Sequence, residues 1–96
     1  MIRHTVAFRL VHPAGSAEEA AFLDAAAELV AVPGVRDFER LRQIGAKNDF
    51  TFGLSMEFDT QAEYEGYFTH PLHEAFVREH WQSEVADFLE IDYTLL

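Results

Sequence analysis

Two tyrosines, three histidines and a proline lie between residues 64 and 80, and the run from Tyr67 to His73 has the pattern Y-x-x-H-P-x-H. Imidazole is the side chain whose ordinary pKa lies nearest neutrality, so it can accept or release a proton at physiological pH. A group of imidazoles and phenols around one helix start either builds a functional site or forms a structural cluster of polar side chains in the core. The residue types therefore direct attention to acid–base chemistry.

His73 is the strongest candidate for that chemistry, because it falls in the first turn of a helix that begins at Pro71. The positive end of the helix dipole disfavours a cationic ring there, and a neutral imidazole can act as a general base. His70 precedes proline and is expected to be extended, with its ring accepting a backbone N–H at the helix start. His4 lies on the apolar face of the first strand, where a hydrogen-bonded core histidine is the ordinary explanation. Each histidine has a structural explanation singly, whereas His4, Tyr67 and His73 together can converge in a cavity between sheet and helices.

The sequence gives little support for a metal or organic cofactor, and we expect neither. His73 and His80 are about two helical turns apart, roughly 10 Å, so they cannot chelate one ion between them. There are no cysteines and no HExxH pattern. His80 and Glu84 are instead spaced to pair on the helix surface. His12, in a turn, is expected to be solvated.

Apolar periodicity predicts four strands and two helical regions in the order βαββαβ. Ser16 and Thr60 each precede a glutamate by three residues, which is typical of a capping box at a helix start. The predicted fold is an α+β, ferredoxin-like sandwich of residues 1–96 as one domain, with a four-stranded antiparallel sheet and both helical regions on one face. The predicted strands are 2–11, 35–44, 50–58 and 89–95, and the predicted helices are 16–32, 60–68 and 71–87.

Two further expectations concern the faces of these elements. The last helix is expected to turn an apolar face inward, made of Phe76, Val77, Trp81, Val85 and Phe88. The open face of the sheet is expected to carry small and charged side chains. It faces either solvent or the sheet of a second copy, which would make a dimeric barrel. The open-face residues are Thr5, Ala7, Arg9, Thr51, Gly53, Ser55, Glu57, Glu90 and Asp92.

The composition excludes some classes of function. The chain has 96 residues and a formal net charge of −10, which argues against binding to nucleic acid or to anionic membrane surfaces. No segment approaches the length of an apolar membrane span, and the N-terminal segment lacks the pattern of a signal peptide. A cytoplasmic location is the expectation.

Taken in order, five segments resemble the stress-responsive A/B barrel, or Dabb, domain family: IRHTVAFRL, VPGV, DFTFGLSMEF, YFTHPLHEAFV and IDY. The resemblance implies a ferredoxin-like fold and a homodimer whose sheets form an α/β barrel. It implies no single activity. Some members are plant stress proteins without an assigned reaction, and one branch is a polyketide cyclase that closes a ring by intramolecular aldol condensation without metal or organic cofactor.

The resemblance also implies roles for individual residues. Positions that match the cyclase give His73 as base, Tyr67 as hydrogen-bond donor to the substrate carbonyl, and His4 as a pocket residue. A further cyclase histidine falls on Phe52, and this departure makes the pocket more apolar. The candidate catalytic residues are therefore His73 and Tyr67, and the candidate substrate-binding residues are His4, Phe52, His70 and Trp81, the last of which is a core residue by default.

Three hypotheses for function remain open at this point. The first is a homodimer with a small-molecule pocket that acts in binding or stress protection without chemistry. The alternative is a cofactor-independent enzyme of the cyclase type, acting on a small apolar carbonyl or phenolic compound. The third is the related group of dimeric barrel monooxygenases, which the H-P-x-H placement fits less well.

Overall fold

Four antiparallel strands and a set of short helices make up the computed structural model, which describes residues 1–96. The sheet order is β2-β3-β1-β4, so that β1 and β3 are central. This arrangement confirms the predicted ferredoxin-like fold. None of the helices is long and apolar enough to cross a membrane. The elements are β1 Ile2–Leu10, α1 Ala17–Ala27, a 3₁₀ turn Glu28–Ala31, β2 Arg36–Arg42, β3 Phe52–Phe58, α2 Gln61–Thr69, α3 Pro71–Phe76, a π-helical turn Val77–Trp81, α4 Gln82–Glu84 and β4 Val85–Thr94.

The helix starts form as the local sequence predicts. The Ser16 hydroxyl accepts the backbone N–H three residues on, at 3.2 Å, and the Thr60 hydroxyl makes the equivalent bond at 3.1 Å. His70 caps α3, because its Nδ1 accepts the Leu72 N–H at 3.1 Å, and Pro71 occupies the first helical turn. The expected role of the His70 ring at the helix start is therefore confirmed.

A continuous aromatic and aliphatic core fills the space between the helices and one face of the sheet. Phe8, Phe22, Met56 and Phe58 have fully buried side chains. Phe8 of β1 packs on Phe22 of α1 with ring centroids 5.6 Å apart, and on Trp81 at 5.3 Å. These contacts hold α1 and the π-helical turn against the centre of the sheet.

Strand β4 turns the opposite face inward from the one expected. His4 pairs with Asp92, and residues that are directly opposite on neighbouring strands share a face of the sheet. Because His4 faces the core, Asp92 and Glu90 also face the helices. Leu89 and Ile91 lie on the open face instead. The expectation that Glu90 and Asp92 lie on the open face was wrong, because alternation separates two sets of side chains without saying which set is inside. Glu57, opposite Arg3, lies on the open face as expected.

The end of the last helix also differs from the expectation. The helical segment ends at Glu84, and β4 begins at Val85, so Val85 and Phe88 belong to the strand rather than to the helix face. His12 is not solvated as expected, since its Nε2 lies 2.7 Å from a Glu84 carboxylate oxygen. The other Glu84 oxygen bonds His80 Nδ1 at 2.9 Å, which confirms the predicted pair. Glu84 thus links the end of β1 to the junction of α4 and β4.

Candidate functional site

A cavity of about 460 Å³ lies between the sheet and the helical segment that follows α2. This volume is within the usual range for small-molecule sites, which are mostly apolar with a few placed polar groups. The polar groups at the wall are His4, Tyr67, His73, Gln82 and Glu90. The remaining lining residues are apolar, namely Val6, Leu29, Leu54, Phe68, Phe76, Val77, Trp81, Val85 and Phe88.

His73 reaches the cavity from the first turn of α3. Its Nδ1 lies 3.1 Å from the Phe68 carbonyl oxygen, which can only accept, so Nδ1 carries the proton. In the neutral ring the lone pair is then on Nε2. Burial lowers the pKa of His73, although the hydrogen bond to Phe68 opposes the effect. His73 is therefore a neutral imidazole able to accept a proton from a bound molecule.

Tyr67 of α2 lies between the two imidazoles. Its ring centroid is 4.5 Å from that of His73 and 5.6 Å from that of His4. Burial, followed by the negative charge of Glu90, raises the pKa of Tyr67, and no protein acceptor bonds its hydroxyl. The hydroxyl therefore keeps its proton and is free to donate it in a hydrogen bond to a ligand oxygen.

His4 is held by a short hydrogen-bond network on β4. Its Nδ1 donates to an Asp92 carboxylate oxygen at 2.6 Å. The other oxygen accepts from the Tyr64 hydroxyl at 2.6 Å, and the Thr5 N–H adds a bond at 3.3 Å. Burial by itself would raise the pKa of Asp92, but the hydrogen bonds from its neighbours outweigh burial and hold the pKa of that carboxyl below its ordinary value. Asp92 thus fixes both the orientation and the tautomer of His4.

Glu90 is the acidic group at the cavity wall itself. Its carboxyl oxygen lies 3.6 Å from His4 Nδ1, and its side chain is 40% exposed. Burial, followed by the hydrogen bond with Asp92, raises the pKa of Glu90 to about 7. One proton is therefore shared by the two carboxyls near neutral pH, because two adjacent like charges disfavour double ionisation.

His4, Glu90 and Asp92 are also the residues that could hold a metal ion. Their ligand atoms lie within 4.8 Å of one another. The 2.6 Å separation of His4 and Asp92 is, however, the length of a charge-assisted hydrogen bond, and Tyr64 and Thr5 donate to the same carboxylate. The donor set is thus arranged around protons rather than around a cation.

The structure brings four of the six sequence-predicted site residues to the cavity and leaves two away from it. His4, Tyr67, His73 and Trp81 line the wall. Phe52 is buried in the core against Phe8, with ring centroids 5.8 Å apart, and it does not reach the cavity. His70 is occupied by its cap bond to the helix backbone.

Three residues of the site, Tyr64, Glu90 and Asp92, were not among the sequence candidates. The missing information was the face of β4, which the strand register decides. One signal was present nevertheless: a histidine predicted in the core at position 4 needs a hydrogen-bond partner. Acidic residues on a neighbouring strand are natural partners, and β4 carries two of them in alternate positions.

The sequence and the fold are similar to those of known proteins. The family described as the Stress Responsive A/B Barrel Domain, Dabb, matches residues 2–95. A Dabb family protein with a ferredoxin-like fold from Mesorhizobium loti is 56% identical, with a TM-score of 0.96 over 99% of this chain and 96% of that one. None of the curated proteins compared with the chain matches it.

Two more distant structures share the fold. A dimeric ferredoxin-like protein of unknown function from Thermobifida fusca is 22% identical, with a TM-score of 0.79 over 98% of this chain and 90% of that one. A hydroxynitrile lyase from Passiflora edulis is 16% identical, with a TM-score of 0.84 over 99% of this chain and 93% of that one. At these identities the likeness concerns the fold alone.

Proposed function

The chain belongs to the Stress Responsive A/B Barrel Domain family, Dabb, and on that premise we propose that it binds a small, uncharged, largely apolar molecule in the cavity beneath its helices. The observation that carries the proposal is the cavity of about 460 Å³, whose lining is mostly apolar. Polar groups converge on it from β1, α2, α3 and β4. A carbonyl or phenolic compound matches this lining, because the Tyr67 hydroxyl donates to an oxygen while apolar walls receive the rest.

Fluorescence tests this proposal directly. Trp81 lines the cavity and is the only tryptophan. The uncharged probe 1-N-phenylnaphthylamine is expected to quench Trp81 by energy transfer, with saturable binding. Val77→Phe fills part of the cavity and is expected to weaken binding at least about tenfold. Val30→Phe, a matched change at an exposed site away from the cavity, is expected to leave binding unchanged. Equal binding by both variants would refute the site.

We further propose that two copies associate through the open face of the sheet. Leu41, Leu89, Ile91 and Tyr93 lie on that face and are 42–51% exposed. Leu41 and Leu89 flank the small residues Gly53 and Ala7 in one row across the sheet, and these small residues permit close approach by another sheet. A contiguous apolar surface of this kind is typical of a protein interface. The Thermobifida fusca protein of this fold is itself described as dimeric.

A second candidate function is proton abstraction without a cofactor. The contact between Tyr67 and the neutral His73 favours it. In this mechanism the α-carbon of a bound ketone loses its proton to His73 Nε2, and the C–H electron pair forms an enolate. The Tyr67 hydroxyl donates a hydrogen bond to the enolate oxygen, which stabilises its charge.

Hydrogen–deuterium exchange at the α-carbon of small aryl alkyl ketones tests this chemistry. In D₂O the wild type is expected to accelerate exchange, and His73→Ala is expected to abolish the acceleration. Tyr67→Phe is expected to reduce the rate about 10²-fold, a typical loss for one oxyanion donor. Tyr93→Phe is the control, because that tyrosine is 51% exposed on the open face of the sheet and does not line the cavity. Exchange that persists in His73→Ala would exclude the mechanism.

A further inference from the structure

Two carboxyl groups lie side by side on the inner face of β4, and their surroundings differ: Glu90 lines the cavity, whereas Asp92 lies beside it among its hydrogen-bond partners. Asp92 is surrounded by donors: His4 Nδ1 and the Tyr64 hydroxyl at 2.6 Å each and the Thr5 N–H at 3.3 Å. These bonds favour its ionised form. Glu90 receives no such set and is open to the cavity. The geometry therefore leaves the proton of the pair on Glu90.

We infer that Glu90 selects the charge class of the ligand: as the protonated member of the carboxyl pair it leaves the cavity wall uncharged for a neutral ligand, and as a carboxylate beside Asp92 it excludes carboxylate and other anionic ligands. This inference rests on the proposed binding function. The cavity supports it in a second way, since no lysine or arginine lines the wall to pair with an anion. Burial lowers the pKa of the facing His73, so that ring adds no positive charge near neutrality.

The pH dependence of binding follows from the groups that face Glu90. They are Asp92 on the same strand, His4 on β1, Tyr67 on α2 and His73 on α3. As the pH rises past about 7, Glu90 ionises and its carboxylate adds a negative charge at the cavity wall. The contacts of an uncharged ligand involve no charge of its own, whereas an anion meets the Glu90 carboxylate with that of Asp92 beside it. Anions are therefore expected to lose much more affinity than neutral molecules.

Two probes with the same aromatic skeleton separate these effects. 1-N-phenylnaphthylamine is neutral, and 8-anilinonaphthalene-1-sulfonate adds one negative charge. At pH 7.5 the wild type is expected to bind the sulfonate at least about tenfold more weakly than the neutral probe. Glu90→Gln removes the charge and keeps the size of the side chain, so it is expected to tighten sulfonate binding about tenfold and to leave the neutral probe nearly unchanged. Glu18→Gln, an equal change of net charge on exposed α1, is expected to alter neither.

The outcomes distinguish failure of this inference from failure of the proposed function. Binding of both probes with the same affinity and pH profile in wild type and Glu90→Gln overturns the inference and leaves the cavity as a binding site. Failure of the neutral probe to bind overturns the function. Independently of any ligand, a ¹³C carboxyl titration is expected to place the Glu90 midpoint well above the ordinary 4.5, and to move it down in Asp92→Asn. A midpoint near 4.5 in the wild type also overturns the inference.

Discussion

Asp92→Asn is the perturbation that the structure constrains most closely. The side chain is 17% exposed and accepts hydrogen bonds from His4 and Tyr64 at 2.6 Å each. A third bond comes from the Thr5 N–H at 3.3 Å. An asparagine at this position has one acceptor oxygen, and its amide nitrogen faces a donor. At least one of the short bonds must therefore reverse its direction or be lost, and the negative charge that strengthens all of them is removed.

The size of the effect follows from these bonds. A hydrogen bond to a charged group contributes about 1.5–3 kcal/mol, and a buried donor left without its partner adds to the loss. We therefore expect Asp92→Asn to lower the free energy of unfolding by about 2–4 kcal/mol, a large part of the ~5–15 kcal/mol of a typical domain. The hydrogen bond from the Tyr64 hydroxyl to Asp92 is also the main cause that raises the pKa of Tyr64 to about 12. In the variant that pKa is expected to fall toward the ordinary 10.0.

Two measurements check this expectation. Urea unfolding followed by Trp81 fluorescence, at one fixed protein concentration, gives the change in free energy. Absorbance titration of the tyrosinate gives the pKa of Tyr64. The control is Asp24→Asn, because that carboxylate is 83% exposed and its 3.7 Å ion pair is at the surface; it is expected to change stability by less than about 0.5 kcal/mol. If Asp92→Asn behaves like the control and Tyr64 titrates as before, the network around Asp92 does not exist as described.

Three further predictions follow from other parts of the molecule. Ile91→Asp changes a residue that is 42% exposed on the open face, and it is expected to raise the dimer dissociation constant measured by sedimentation about 10²-fold or more. Val30→Asp, at an exposed site elsewhere, is expected to leave that constant unchanged. Burial opposes ionisation of Glu84, yet its hydrogen bonds to His12 and His80 hold the pKa of Glu84 below 4.5. The stability that ionised Glu84 contributes is therefore complete above pH 4.5 and is lost as the pH falls below it. In acid unfolding, Glu84→Gln is expected not to show this loss. Because burial lowers the pKa of His73, the unfolded chain protonates first, and wild-type stability should fall as the pH drops below 6.5, more steeply than that of His73→Asn.

Local signals in the sequence predicted much of the fold. The helix starts at Ser16 and Thr60, the cap at His70 and the inward face of β1 each depend on a few neighbouring residues, and each is observed. The end of the last helix was placed too late. Its apolar spacing continues through Phe88, although that residue lies in β4, where alternation serves equally well.

Long-range pairing set the parts of the site that the sequence did not predict. The alternation of β4 is the same whichever face is inside, and the register of His4 with Asp92 resolves it. The usual assumption that apolar residues face the core fails here, because the outer face of β4 carries exposed apolar residues and the inner face carries Glu90 to the cavity wall. The hydrogen bond between His12 and Glu84 was not predicted either, because the two residues are 72 positions apart in the sequence.

The most direct test of a ligand cavity beneath the helices is the position of a bound neutral molecule. Intermolecular NOEs between 1-N-phenylnaphthylamine and the methyl groups of the protein report that position. The expected result is NOEs to Val6, Leu54 and Val77, which line the cavity on opposite sides. NOEs confined to Leu89 and Ile91 on the open face would contradict the account.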